Sequence, residues 1–242
     1  MAGHSHWAGI KHRKSAQDKK RSKYFSKFSK AIMIAAREGG GDPEQNLSLR
    51  YAIDRAKAGN MPNDSIDRAI KKAIGELGDK QFAEILYEGY APGGVAIMAE
   101  VVTDNRNRTA PEMRQIFSKS GGNLANPGAV AFQFDKKGLI GVATAVAPFD
   151  AVFEVALEAG AEEVEESDDQ TDITTAPEDF NAVRAALSAK GWELVTCELA
   201  WVPQNMVTPS AAEGKKVEEL LEKLEDHDDV QAVHCNYDPA EE

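Results

Sequence analysis

The sequence predicts an α+β protein: an N-terminal three-helix domain plus two ferredoxin-like α/β domains, the last inserted within the middle one. Three observations carry this. Apolar residues recur at helical spacing through residues 1–80. Beyond Gln81, short β-rich runs bounded by Gly, Pro and Asp alternate with capped helices. Residues 136–204 alone read strand, helix, strand, strand, helix, strand, which is the split βαβ order. The division is therefore 1–80, a discontinuous middle domain of 81–135 and 205–242, and the insertion 136–204.

In the helical part, Phe25, Phe28, Ile32 and Ala35 share one face of a helix expected over 18–38. Gly39-Gly40-Gly41 ends it. Asp42-Pro43-Glu44-Gln45 predicts the next N-terminus, with Asp42 as cap and Gln45 as its reciprocal partner. Leu49, Ala52, Ile53 and Ala56 point inward, and Gly59-Asn60 stops that helix. A third helix follows Pro62, with Ile66, Ile70, Ala73 or Ile74, and Leu77 inward.

Strands are expected at 82–90 and 95–103, joined by Pro92-Gly93-Gly94. Thr109-Ala110-Pro111-Glu112 reads as a capping box opening a helix that ends at Gly121-Gly122. A strand at 130–134 is expected to reach a Lys136-Lys137-Gly138 turn, followed by a strand at 139–144. A helix at 148–159, two strands flanking Asp168-Asp169, a helix at 177–190 and a strand at 192–202 complete the insertion. A helix capped by Ser210 and Glu213, then a strand at 230–237, return the chain to the middle domain.

The 242 residues carry a net charge of −12, unevenly spread. Residues 1–80 hold 17 Lys and Arg against 9 Asp and Glu, net +8, so the remainder is net −20. Charges beyond a Debye length of about 10 Å are screened, so the local field decides docking. A basic head on an acidic body points to a polyanion. Cys197 and Cys235 have neither disulfide-framework nor CxxC spacing, which fits a reducing compartment and a cytoplasmic location. No run is long and apolar enough to span a bilayer, so no membrane is expected.

The strongest candidate site is the basic run. Lys11, Arg13, Lys14, Lys19, Lys20, Arg21, Lys23, Lys27 and Lys30 face one acid, Asp18, with Trp7, Tyr24 and Phe25 interleaved. Lys20, Lys23, Lys27 and Lys30 form a stripe roughly 150° from the Phe/Ile stripe. Cations in such a row contact phosphate, and the aromatics suit stacking on unpaired bases. A second anion site is expected at Arg106, Arg108 and Thr109, where two arginines precede a helix N-terminus. The alternative is that Asp104 and the arginines tie the strand–helix turn together. Glu162, Glu163, Glu165, Glu166, Asp168, Asp169 and Asp172 read as a solvated acidic face. His227 and His234 lack zinc-type spacing. No nucleophile–base arrangement or nucleotide loop stands out, so the expectation is a non-enzyme with no metal and no cofactor.

Several segments resemble the YebC/PmpR family: Met1 to Trp7, Gly39 to Pro43, Tyr87-Glu88-Gly89-Tyr90 with Pro92-Gly93-Gly94, Asp104 to Thr109, and Ser118-Lys119 with Gly121 to Leu124. The resemblance runs over essentially the whole chain. One departure is His6, where the family usually carries Lys. The resemblance implies three domains and a cytoplasmic bacterial protein, or a mitochondrial one in eukaryotes. It implies a DNA-binding transcriptional regulator. It also implies, as the alternative, a ribosome-associated translation factor that binds ribosomal or transfer RNA. Members of that second kind include a mitochondrial translational activator of a cytochrome oxidase subunit, and bacterial members linked to stalling on proline-rich stretches. A monomer is expected.

Overall fold

The structure, a computed structural model, describes residues 21–75, 82–167 and 169–239, with only the backbone at 21–23. The described residues fall into two compact units. One contains Phe132–Val207 with His234–Asp238; the other contains 21–131 with Thr208–Val233.

In the second of these units, α1 (Arg21–Gly39), α2 (Leu47–Ala58) and α3 (Asn63–Gly75) pack around Ile32, Ala36, Leu49, Ile53, Ala56, Ile66 and Ala69. Phe25, Phe28, Ala52 and Ile70 lie against this core, as their spacing predicts. Ala73 is buried while Ile74 is 60% exposed, which decides the pair that the sequence left open. Leu77 lies outside the described residues. α2 begins later than Asp42-Pro43 suggests. Asp42 instead closes a turn, its Oδ1 accepting from Glu44 N at 3.0 Å and its Oδ2 from Gln45 Nε2 at 3.1 Å. The cap is Asn46: its side chain accepts from Leu49 N and donates to Ala35 O and Gly40 O. One buried amide thus ends α1 and starts α2. Gly59 makes room for the Phe28 ring, which occupies the space of a Cβ, and Asn60 takes the left-handed conformation of the turn.

The same unit holds β1 (Ala83–Tyr90), β2 (Ala96–Thr103), α4 (Arg106–Lys119) and β3 (Asn123–Leu124). Their antiparallel sheet has the order β3-β1-β2-β8, where β8 is Val230–Cys235, reached after α7 (Ala211–Glu225). α4 starts earlier than the expected Thr109 box. Asn105 is the cap, accepting from Arg108 N at 3.1 Å, and Pro111 lies inside the helix. The Ser210–Glu213 pair does close the start of α7, with Ser210 N donating to Glu213 at 3.1 Å.

The other unit is β4 (Phe134–Ala143), α5 (Phe149–Glu158), β5 (Ala161–Glu166), β6 (Gln170–Thr175), α6 (Phe180–Ala189) and β7 (Leu194–Pro203). Its antiparallel sheet has the ferredoxin-like order β5-β6-β4-β7. This unit departs from the expected pattern at its start and in the middle of β4. Residues 131–133 form a short 3-10 turn rather than a strand. Lys136-Lys137-Gly138 is the middle of β4 rather than a turn. Gly138 is there because Thr175 Oγ1 and the Phe180 ring occupy the space of a Cβ. A close approach of α6 to the strand, not a bend, is what requires glycine here.

Candidate functional site

Lys11, Arg13, Lys14, Lys19 and Lys20 lie outside the described residues, as do the side chains of Arg21 and Lys23. The two remaining cations of the row are fully placed. Lys27 is buried, with 8% exposure, and its ammonium donates to Glu225 O at 2.5 Å. It also lies 5.9 Å from the Tyr24 ring centroid. Lys30 donates to Asp228 O at 2.8 Å and to Asp229 Oδ1 at 2.6 Å. Residues three apart share a helix face, so both ammoniums reach one target: the C-terminal end of α7 and the turn after it. Helix C-termini leave carbonyls unpaired and carry partial negative charge, which attracts cations. The expected open ammonium row is therefore closed at Lys27 and Lys30 by the protein itself.

Asp229 is the centre of this arrangement. Its side chain is 4% exposed. Arg108 Nη2 donates to Oδ2 at 2.7 Å, and Thr109 Oγ1 lies 2.9 Å from the same oxygen. Thr103 Oγ1 is 2.7 Å from Thr109 Oγ1 and accepts from Asn105 N at 2.9 Å. The backbone of Asp229 joins in as well, its carbonyl accepting from Val102 N at 2.8 Å. Burial alone would raise the Asp229 carboxyl, but hydrogen bonds from Lys30, Arg108 and Thr109 hold it well below the usual carboxylate range. These contacts fall on two residues of the second expected anion site. At Arg108 and Thr109 the anion received is the protein's own carboxylate. Arg108 also neighbours Asp104 at 3.4 Å and Glu112 at 3.9 Å.

Arg106 stands apart from that cluster and is exposed. It lines a cleft with Glu38, Glu84 and Asp104, a setting dominated by carboxylates. Burial pushes the Tyr87 phenol up, and the charges of Arg106 and Arg114 oppose this.

A second cleft of about 650 Å³ is lined by Lys30, Lys72, Arg108, Glu112, His227 and Asp229 among others. Glu112, His227 and Asp229 bring ligand atoms within 4.8 Å of one another. They do not suit a metal ion. His227 Nδ1 accepts from Asp229 N at 3.1 Å, so the ring proton sits on Nε2, which lies 3.0 Å from Glu112 Oε2. No ring lone pair remains, and Lys30 and Arg108 already hold both Asp229 oxygens.

Glu88 is a further residue whose role the sequence hid. The residue is 4% exposed, and its carboxylate accepts from the amides of Gly128, Val130 and Ala131 at 2.6, 2.8 and 2.9 Å. Burial works to raise its pKa, and the three amides together bring it below the ordinary value. Tyr90 Oη donates to Ala129 O at 3.0 Å, so neighbouring β1 residues pin one loop.

Three N-terminal helices followed by two antiparallel sheets, the second in ferredoxin-like order, define an α+β protein whose internal charge clusters bind its elements together. The chain belongs to the TACO1/YebC family. The model of the TACO1/YebC N-terminal domain matches residues 5–76, and that of the second and third domains matches residues 82–237. Curated relatives named "Probable transcriptional regulatory protein" include one from Dictyoglomus turgidum, 51% identical over all of this chain and 98% of its own length. Another, from Trichlorobacter lovleyi, is 52% identical over 98% of this chain and 96% of its own length. A solved structure, a conserved hypothetical protein from Aquifex aeolicus, aligns with a TM-score of 0.83 at 44% identity, covering 93% of each chain. No helix among the described residues is long and apolar enough to cross a membrane.

Proposed function

We propose that the chain is a non-enzymatic, cytoplasmic regulator of gene expression that binds nucleic acid through its basic N-terminal segment. The observation that carries this reading is the net charge of +8 over residues 1–80 in a chain of net −12. Lys27 and Lys30 are bound within the protein, so the phosphate contacts fall to Lys11, Arg13, Lys14, Lys19, Lys20, Arg21 and Lys23. The names of the relatives support transcription as the process regulated.

One observation favours the second reading, a translation factor on ribosomal or transfer RNA. α3 follows α2 after a short Gly59–Pro62 link, as a recognition helix would. Yet its N-terminal half presents Asp64 and Asp67, and Arg68 is spent on Asp64 O and Ser65 Oγ. Carboxylates at that end repel the groove, so recognition of phosphate and shape is better supported than reading of bases.

The test uses the full chain with Lys19, Lys20 and Lys23 changed to Glu. Labelled duplex DNA and single-stranded RNA are titrated by anisotropy, and the protein is followed through a polysome gradient. Affinity for at least one nucleic acid is expected to fall by more than roughly tenfold. Unchanged affinity for both overturns the proposal. Co-sedimentation with ribosomal particles that is lost in the variant selects the RNA reading.

A further inference from the structure

We infer that the outer face of α5 is a docking surface for a lysine- or arginine-rich amphipathic helix of a partner protein. Val152 and Ala156 turn α5 toward its own sheet. Projected at about 100° per residue, the exposed arc then runs Phe153, Leu157, Asp150, Glu154, Glu158. Phe153 is 39% exposed and Leu157 43%. Phe149 backs Phe153, with ring centroids 5.5 Å apart. An apolar shoulder therefore adjoins a row of three carboxylates.

This face breaks three local rules together. Asp150, Glu154 and Glu158 follow one another at four-residue spacing, which sets like charges side by side. Glu158 lies at the negative end of the helix, and the last turn holds no basic residue. No ion pair among the described residues engages any of the three. A helix that needed only to cover its sheet would relieve these repulsions with a lysine. The occupant follows from complementarity: apolar side chains for Phe153 and Leu157, cations for the carboxylate row. The surroundings agree, since residues 132–207 hold 4 basic and 15 acidic side chains. Such a field repels RNA and DNA and favours a basic protein.

The experiment titrates the full chain with a synthetic amphipathic helix of leucine and lysine, with a lysine–serine peptide as control. Two variant pairs are compared, Phe153→Ser with Leu157→Ser and Glu154→Lys with Glu158→Lys, each checked for folding by circular dichroism. The wild type is expected to bind the amphipathic peptide, and each pair to weaken it by roughly tenfold. Nucleic-acid affinity should not change, because neither pair touches the basic segment. Four results overturn the inference. The first is equal peptide affinity in the Phe153/Leu157 pair, and the second is equally tight binding of the lysine–serine control. The third is competition at this face by single-stranded RNA. The fourth is self-association of the wild type that the variants abolish, which makes the occupant a second copy.

Discussion

Asp229 and the carboxylate row of α5 show two ways in which an acidic chain handles negative charge. Asp229 is nearly inaccessible, and Lys30, Arg108 and Thr109 all converge on it. Asp150, Glu154 and Glu158 are exposed, and no described cation pairs with them. The first arrangement ties α1, α4 and the turn before β8 into one unit. In the second, Asp150 suits the first turn of α5, but Glu154 and Glu158 set like charges four residues apart and Glu158 lies at the negative end of the helix. Charge that is answered internally holds structure; charge left unanswered beside apolar side chains is available to a partner.

Substitutions at the two places should therefore act with opposite sign. The largest effect is expected from Asp229→Asn. It leaves Lys30 and Arg108 without their shared acceptor charge and should cost about 3 kcal/mol in urea denaturation. A loss within experimental error would mean that the cluster does not hold the unit together. The same residue carries a pH signature. Its folded pKa is depressed, so its contribution is complete above the ordinary carboxylate range and is lost as pH falls below it. The wild type should lose more stability than Asp229→Asn between about pH 5 and pH 2.

Next comes Glu88→Gln, which removes the charge that three loop amides receive. About 2 kcal/mol of local stability should disappear, read as faster hydrogen exchange at Gly128, Val130 and Ala131. Lys30→Met should cost about 1–2 kcal/mol, and its effect should largely vanish in the Asp229→Asn background. The smallest effect sharpens the comparison most. Neutralising Glu154 and Glu158 together should leave stability unchanged or raise it by a few tenths of a kcal/mol. A clear loss there would give the row a structural role and remove the contrast.

The sequence made the fold legible wherever a pattern was local. Helical spacing placed Ile32, Leu49, Ile53 and Ile66 in their core, and the strand–helix order identified the ferredoxin-like unit. Errors arose where one residue type serves two purposes. Gly138 mimics a turn but makes room for Phe180, and Thr109 mimics a cap but bonds Asp229 from inside α4. The candidate site was less legible. Arg108 and Asp229 are 121 positions apart, and nothing in a single sequence tells a phosphate-seeking arginine from one answered by a distant carboxylate. Lys27 and Lys30 look like their neighbours in the row until the end of α7 is placed beside them.

That placement changes how many counterions a bound polyanion displaces. Those counterions are condensed on the nucleic acid, and a cation already held by the protein's own carbonyls and carboxylate neutralises no phosphate. Each phosphate neutralised on duplex DNA contributes about −0.9 to the slope of log affinity against log salt. With Lys27 and Lys30 spoken for, seven of the nine cations between Lys11 and Lys30 remain to be counted. The steepest slope this segment can supply is then about −6, where the bare sequence suggests about −8.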